Sequence, residues 1–356
     1  MGKIYIAGAH SRAQSVKAYL EYLYPETELI SYLVDDMSDN EKVIEGVGVQ
    51  LIKRGLHTEC PVYIGTRGVN HHKITEELKE VGFTKIIPVT VELDIQLRNE
   101  YMQKFYKEQG KNFTVIDELY TENRKTTGNG TVYVACSIYD KPLMKEYKLA
   151  DYETVLQVGS ALTDERISEN VLIDCSGDNI SCKNKQFCEL TGLYWLWKNA
   201  TEDYIGLVHY RRHFLLPDNW KERMEENDID VILPVPLYVA PSISENYMKR
   251  HMKSDWMYMM EYLKSYDLKE YNKAKRLFAG NIYSPCNMLI ARRKVLDELC
   301  KWLFPILDAV VKHGGEKEDT YMNRYPGFIS ERLITYFFEE RSNKYKVIYA
   351  NKNFLT

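Results

Sequence analysis

Apolar and polar positions follow two rhythms along this chain. "KIYIAGAH" (3–10) reads as an apolar strand closed by a glycine turn. "SRAQSVKAYLEYLY" (11–24) then carries apolar residues at helical spacing behind Ser11, a predicted N-cap. "ELISYLVDD" (28–36) is a strand ending in paired acids, and "CPVYIGT" (60–66) is a third strand. "KITEELKEVG" (73–82) is a helix ending at Gly82, "TKIIPV" (84–89) a fourth strand, and 93–110 a further helix. Strands alternating with helices predict a parallel sheet with right-handed crossovers.

The polar, aperiodic stretch "TENRKTTGNGT" (121–131) marks a domain boundary. It separates a Rossmann-like parallel-sheet domain over 1–120 from a second α/β domain over 131–356, with 121–130 as linker. The second domain opens with strand "TVYVACSIYD" (131–140). Helix "KQFCELTGLYWLWKN" (185–199) feeds strand "DYIGLVH", and further strands are predicted at 228–236, 281–293 and 345–350. Helices follow over 294–311 and 328–341. The fold class is α/β throughout, without an internal repeat.

Composition adds limits. A chain of 356 residues, 45% hydrophobic and 12% aromatic, has enough apolar material for two cores. A net charge of -4 with both signs dispersed implies no nucleic-acid-binding surface. The seven cysteines, Cys60, Cys136, Cys175, Cys182, Cys188, Cys286 and Cys300, contain no C-x-x-C spacing, which favours reduced thiols in a cytoplasmic protein. The N-terminus lacks the apolar run of a signal peptide. No stretch approaches the roughly 18 apolar residues of a membrane span, so any membrane contact is expected to be peripheral.

In the first domain, Gly8 sits between a strand and a helix, and Asp35 and Asp36 close the next strand. A helix N-terminus there can meet phosphate, and an acid can meet ribose hydroxyls. "GAHSRA" has one glycine where the dinucleotide fingerprint has three, so NAD chemistry is unsupported, and a domain that binds nothing remains an open alternative. The pattern "YLVDD…IEGVGVQLI…CPVYIGT…ITEELKEVGF" resembles the small nucleotide-binding domain that precedes the catalytic part of some bacterial sugar acyltransferases. That resemblance implies a nucleotide-sugar site and singles out Gly8, His10 and Asp35.

"DYIGLVHYRRHF" (203–214) is the most unusual stretch of the second domain. An apolar strand finishes in an imidazole and two guanidiniums, and strand carboxyl ends are where open α/β sheets bind ligands. A buried charge left without a partner costs about 3–5 kcal/mol, so this end needs either neighbouring acids or an anionic ligand. In extended backbone His209 and Arg211 share a face, and Arg212 points away.

"NVLIDCSGDNISCKNKQFCELTGLYWLWKNATEDYIGLVHYRRHF" (170–214), with "CNMLIARRKVLDELCKWLFPIL" and "GFISERLITYFF", resembles a bacterial family of capsular and exopolysaccharide gene clusters. That family was formerly a domain of unknown function and is grouped with the GT-A type glycosyltransferases. The resemblance implies a hexosyltransferase-type enzyme that moves a sugar from a nucleotide-sugar donor to an oligosaccharide acceptor, in that context lipid-linked. Related transferases hold a divalent metal through Asp-x-Asp at this strand end. His209-Tyr210-Arg211 stands there instead, which leaves metal dependence open and lets arginine meet the diphosphate directly.

The same reading assigns Ala135, Ser137, Gly159, Asp178, Asn179, Lys183, Glu189, Arg212 and Asn287 to donor binding, and Glu331, His209 and Arg211 to catalysis. Glu331, expected near a helix start, is the candidate base; a favourable helix-dipole position is its structural alternative. "DCSGDN", which includes Asp174, reads equally as an Asx turn, and Glu189 could pair with Lys185. His251 and Asp255, at helical i, i+4 spacing, form a weak metal pair with no third ligand. Two other readings stay open: a non-catalytic carbohydrate- or nucleotide-sugar-binding scaffold, and a bifunctional enzyme whose N-terminal domain modifies the sugar.

Overall fold

Lys3–Ala7 (β1) is apolar at four successive positions because the sheet around it is covered on both faces. The computed structural model describes residues 2–38, 40–122, 124, 126–143 and 146–355. They form two units, residues 2–113 with Leu237–Pro241, and residues 114–236 with 242–355.

In the first unit β1 leads to α1 (Ser11–Leu23) and β2 (Glu28–Val34). A hairpin of β3 (Val43–Ile44) and β4 (Val47–Leu51) follows, then β5 (Val62–Ile64), α2 (His71–Glu80), β6 (Ile86–Pro88) and α3 (Val91–Glu108). The sheet order is β3-β4-β2-β1-β5-β6, parallel except for the hairpin. The pattern over 43–51 did not signal this hairpin. Its turn, Glu45-Gly46, has positive φ at both residues (49° and 80°), the conformation of a tight two-residue hairpin.

The second unit begins earlier than the polar stretch suggests. Thr114 accepts a bond from Tyr349 N (3.0 Å), and Ile116 is wholly buried in the second core, so burial rather than polarity sets the boundary. The stretch 121–130 lies inside this unit, and its Asn123 and Lys125 are outside the described residues.

Its elements are β7 (Gly130–Cys136), β8 (Glu153–Gln157), β9 (Leu172–Ile173), α4 (Asn184–Phe187), α5 (Leu190–Asn199), β10 (Tyr204–His209), α6 (Trp220–Glu226) and β11 (Val231–Pro234). After β12 (Leu237–Tyr238), which belongs to the first unit, come α7 (Ile243–Arg250), α8 (Lys253–Tyr266), α9 (Leu268–Phe278) and β13 (Ile282–Tyr283). The chain then forms β14 (Leu289–Arg292), α10 (Arg293–Gly314), α11 (Tyr325–Glu339) and β15 (Val347–Ala350). The main sheet runs β15-β11-β14-β10-β7-β8-β9, with β14 antiparallel to both neighbours. The fold is mixed α/β with parallel pairing dominant, as the sequence predicts.

Two interruptions matter for the site. The helix expected over 185–199 breaks at Cys188, where φ is +49°, and restarts at Leu190. The strand expected over 281–293 breaks at Cys286 and Asn287, with φ of +79° and +51°. Both breaks turn side chains toward the carboxyl edge of β7 and β10. These strands end level with each other, with Val208 opposite Val134 and His209 opposite Ala135.

Candidate active site

The strand of the "HYRR" stretch ends at His209 and reverses at once. His209 N donates to Arg212 O (3.1 Å) and Arg212 N to His209 O (3.0 Å), so Tyr210 and Arg211 form a two-residue turn. This corrects the expected pairing. His209 sits opposite Arg212, and cross-strand partners share a face. Arg211 occupies the turn's tip, its guanidinium 4.9 Å from the Tyr210 ring centroid.

Outside this edge lies a cleft of about 710 Å³. Ala135, Ser137 and Asp140 line it from the end of β7, His209, Arg211 and Arg212 from β10, and Glu189 from the α4–α5 junction. Arg324 enters it at the start of α11. Among the described residues, Arg211, Arg212 and Arg324 have no carboxylate within 4.0 Å of their guanidiniums. Arg211 Nε is buried without a hydrogen-bond partner, and Arg324 Nε donates to Cys188 Sγ (3.1 Å). Three guanidiniums converging on one cleft without a carboxylate at ion-pair distance among the described residues, beside the positive end of α11, favour an anion there.

The cleft narrows into a recess of about 90 Å³ bounded by Glu189, His209, Arg212, Arg324, Phe328 and Glu331, among others. Glu189 Oε1 accepts from Asn287 Nδ2 (2.7 Å) and lies 3.5 Å from His209 Nε2, which in turn donates to Cys286 O (2.6 Å). Asn287 also donates to Gly327 O and accepts from Ser330, so it is buried behind Glu189 rather than facing a ligand. Its left-handed backbone, which asparagine tolerates, is what aims it there.

Glu331 sits in the second turn of α11, since the helix starts at Tyr325 and not at Phe328. Its Oε1 accepts from Cys286 N (2.8 Å) and its Oε2 from Arg332 Nη1 (2.6 Å). Burial raises its pKa, opposed by Arg332. Asp140 faces the main cleft, and burial pushes its pKa up to about 6 against the pull of a bond from Ser137 N (2.7 Å) and of Arg211 and Arg324.

Residues 135–343 match the family model described as "Domain of unknown function (DUF4422)". The chain belongs to the DUF4422 family. No curated protein matches it. A solved structure of WbbM, described as a bifunctional glycosyltransferase in its apo form, shares 24% identity at a TM-score of 0.54. The likeness covers 64% of this chain and 46% of WbbM, less than half of that protein. At that identity the likeness is one of fold.

Several predicted positions of the DUF4422 domain lie away from the cleft. Asp178 meets Tyr194 and Lys198, Asn179 closes an Asx turn through Cys175 O, Gly177 O and Ser181 N, and Lys183 pairs with Asp308. These three satisfy local turns and surface pairs. Gly159 is structural: with φ of +70°, a Cβ there would stand 2.6 Å from Asn184 Oδ1. Its amide bonds to Asp174, a fully buried carboxylate that also accepts from Ser160, Ser181 and Thr191. Asp174→Ala should leave those donors unpaired and lower the unfolding free energy by about 3–5 kcal/mol, read by urea denaturation.

The metal pair is not one. His251 caps α7 while Asp255 sits on α8, so they do not share a helix. His251 stacks on Phe328 (4.1 Å), and burial lowers its pKa to about 4; Asp255 bonds Lys317 Nζ (3.2 Å). Among the described residues no three His, Cys, Asp or Glu side chains cluster as metal ligands. The cleft's carboxylates are Asp140, Glu189 and Glu316; the first two are engaged by protein N–H groups and all stand among guanidiniums, a donor set that does not suit a protein-held divalent ion.

In the first unit, Gly8 has φ of +104°, and a Cβ would stand 2.8 Å from Thr66 Cγ2. His10 is an exposed N-cap residue whose side chain makes no capping bond. Asp35 pairs with Lys73 (2.7 Å), which holds its pKa down, and borders a cavity of about 340 Å³ with Arg54, Glu77 and Glu80. Gly8 and His10 do not line that cavity.

Asp140, Arg324 and Cys188 are cleft residues the sequence did not single out. "CSIYD" offered one signal, because Ser-x-x-Asp predicts the turn bond that Asp140 makes. Arg324 lies over 100 residues from the strand it faces, and only the tertiary fold brings it there.

Proposed function

We propose that the second unit is a GT-A type glycosyltransferase that moves a hexose from a nucleotide-sugar donor to an intermediate of a capsular or extracellular polysaccharide. The observation that carries this reading is the trio of guanidiniums, Arg211, Arg212 and Arg324, at the carboxyl edge of the sheet, none with a carboxylate at ion-pair distance among the described residues. A donor diphosphate is an anion of matching size and charge, and the bond that breaks leaves negative charge on it. An acceptor oxygen attacks the anomeric carbon, the sugar–phosphate bond breaks, and its electron pair passes to the diphosphate oxygen facing the arginines. In this reading the acceptor proton goes to Glu189, the carboxylate common to cleft and recess, held by Asn287. Glu331 then fixes Cys286, whose carbonyl orients His209.

The arginines take the charge-neutralising role here, so transfer is expected to continue in EDTA; complete loss with rescue by manganese contradicts this. The acceptor is proposed to be lipid-linked, the protein cytoplasmic, and any membrane contact peripheral, since no helix among the described residues is long and apolar enough to cross a membrane. The first unit is proposed to bind a nucleotide sugar near Gly8, His10 and Asp35.

A nucleotide-sugar turnover panel tests this reading, and its pH dependence adds a signature. Asp140 repels a diphosphate when ionised and not when protonated, and its pKa is about 6. Donor affinity should therefore rise as pH falls from 7 through 6, and Asp140→Asn should flatten that rise. The diester diphosphate of an intact donor lacks the terminal phosphate ionisation near pH 6, so it does not confuse the reading.

A further inference from the structure

We infer that His213 is a positioning residue that fixes the arginine turn, linking a buried carboxylate to the turn's backbone. The inference rests on the cleft being a diphosphate site. His213 lies two residues after the tip of the turn and is 1% exposed. Its Nδ1 donates to Glu153 Oε1 at 2.7 Å, with both side chains 1% exposed, and its Nε2 lies 3.3 Å from the carbonyl oxygen of Tyr210. One ring thus ties the first residue of β8 to the peptide between Tyr210 and Arg211.

The rest of this assembly points the same way. The Tyr147 ring packs against the imidazole at 4.0 Å, tilted by 36°, and Glu153 Oε2 accepts from Tyr147 Oη (3.2 Å) and Ala150 N (3.0 Å). Tyr210 N donates to Ala135 O (3.1 Å), His213 N to Asn353 Oδ1 (3.0 Å), and Leu355 N to Arg211 O (2.8 Å). The turn is therefore held from β7, from β8 through His213, and from residues 353–355. Neither His213 nor Glu153 lines the cleft, so neither meets the ligand. Replacing a buried polar pair by apolar residues of similar volume is often neutral for stability, and what this hydrogen-bonded pair adds is a fixed direction. Bidentate recognition by Arg211 and Arg212 depends on that direction.

The test is calorimetric titration of inorganic pyrophosphate into the full-length chain, with melting followed in parallel. Glu153→Gln with His213→Leu removes the relay without stranding a buried carboxylate. It should stay folded, while the pyrophosphate Kd rises roughly ten-fold, as expected when a site loses its supporting shell. His213→Gln keeps one amide N–H for Glu153 and should fall between the two. A folded double variant that binds within about two-fold of wild type overturns the inference. If the double variant does not fold, an unchanged Kd in His213→Gln overturns it equally. Wild-type protein that shows no pyrophosphate binding rejects the cleft reading itself, which separates the two failures.

Discussion

Replacing Arg211 and Arg212 together with alanine should lower kcat/KM for the donor by about 10³-fold while leaving the fold intact. Removing one donor aimed at developing negative charge typically costs about 10²–10³ in rate, and here two are removed from a partly buried site. The fold should tolerate the change for an uncommon reason. Neither guanidinium has a carboxylate within ion-pair distance among the described residues, and Arg211 Nε is buried and unpartnered. Alanine therefore strands no acid, and it relieves one unsatisfied donor. The losses are ring contacts of Arg211 with Tyr210 and Phe354 and of Arg212 with Phe354, each worth about 0.5–1 kcal/mol at such exposure. The melting temperature should move by only about a few degrees. Activity and stability part company here, the pattern of groups kept for a ligand rather than for the fold.

Glu189→Gln is expected to lower kcat by roughly 10²–10⁴-fold, the range of a lost general base, with donor binding largely retained. Glutamine keeps the volume and an oxygen to accept from Asn287 Nδ2, so the pocket should hold its shape. It cannot take a proton from an acceptor hydroxyl. The contrast with Glu331 is diagnostic. Both of that residue's carboxylate oxygens already accept protein N–H groups, and Glu331→Gln would remove the carboxylate that Arg332 meets at 2.6 Å. Glu331→Gln should therefore reduce thermal stability as well as activity, whereas Glu189→Gln should spare stability. Donor KM and melting temperature, measured beside kcat, distinguish the two roles.

The sequence disclosed the central strands because burial on both faces writes itself as continuous apolar runs, and "YIGLV" leaves little choice for β10, while the short, more exposed β3, β4 and β9 carry no such run. It also disclosed that the end of this strand is charged. Which charges share a face was not legible, since the backbone reverses at Tyr210 and makes Arg212, not Arg211, the partner of His209. Extended spacing fails wherever a strand ends in a tight turn. The Asx turn at Asn179 and the buried anchor Asp174 look alike in "DCSGDN"; burial alone separates them. Arg324 and the Glu153–His213 pair depend on contacts between residues far apart in sequence, which no local pattern encodes. Asn287 drew notice as a ligand contact, and it stands one layer back because of left-handed backbone that its sequence does not announce.

Arg211, Arg212 and Arg324 are proposed to form a diphosphate site. Calorimetric titration of the full-length chain with a panel of nucleoside diphosphates, repeated on a folded variant with all three arginines replaced by glutamine, tests it most directly. At least one nucleoside diphosphate is expected to bind the wild-type chain, more weakly as salt rises, and the triple variant to lose at least ~100-fold in affinity. Binding of equal strength in the triple variant, or no binding by any member of the panel to the wild-type chain, would contradict it.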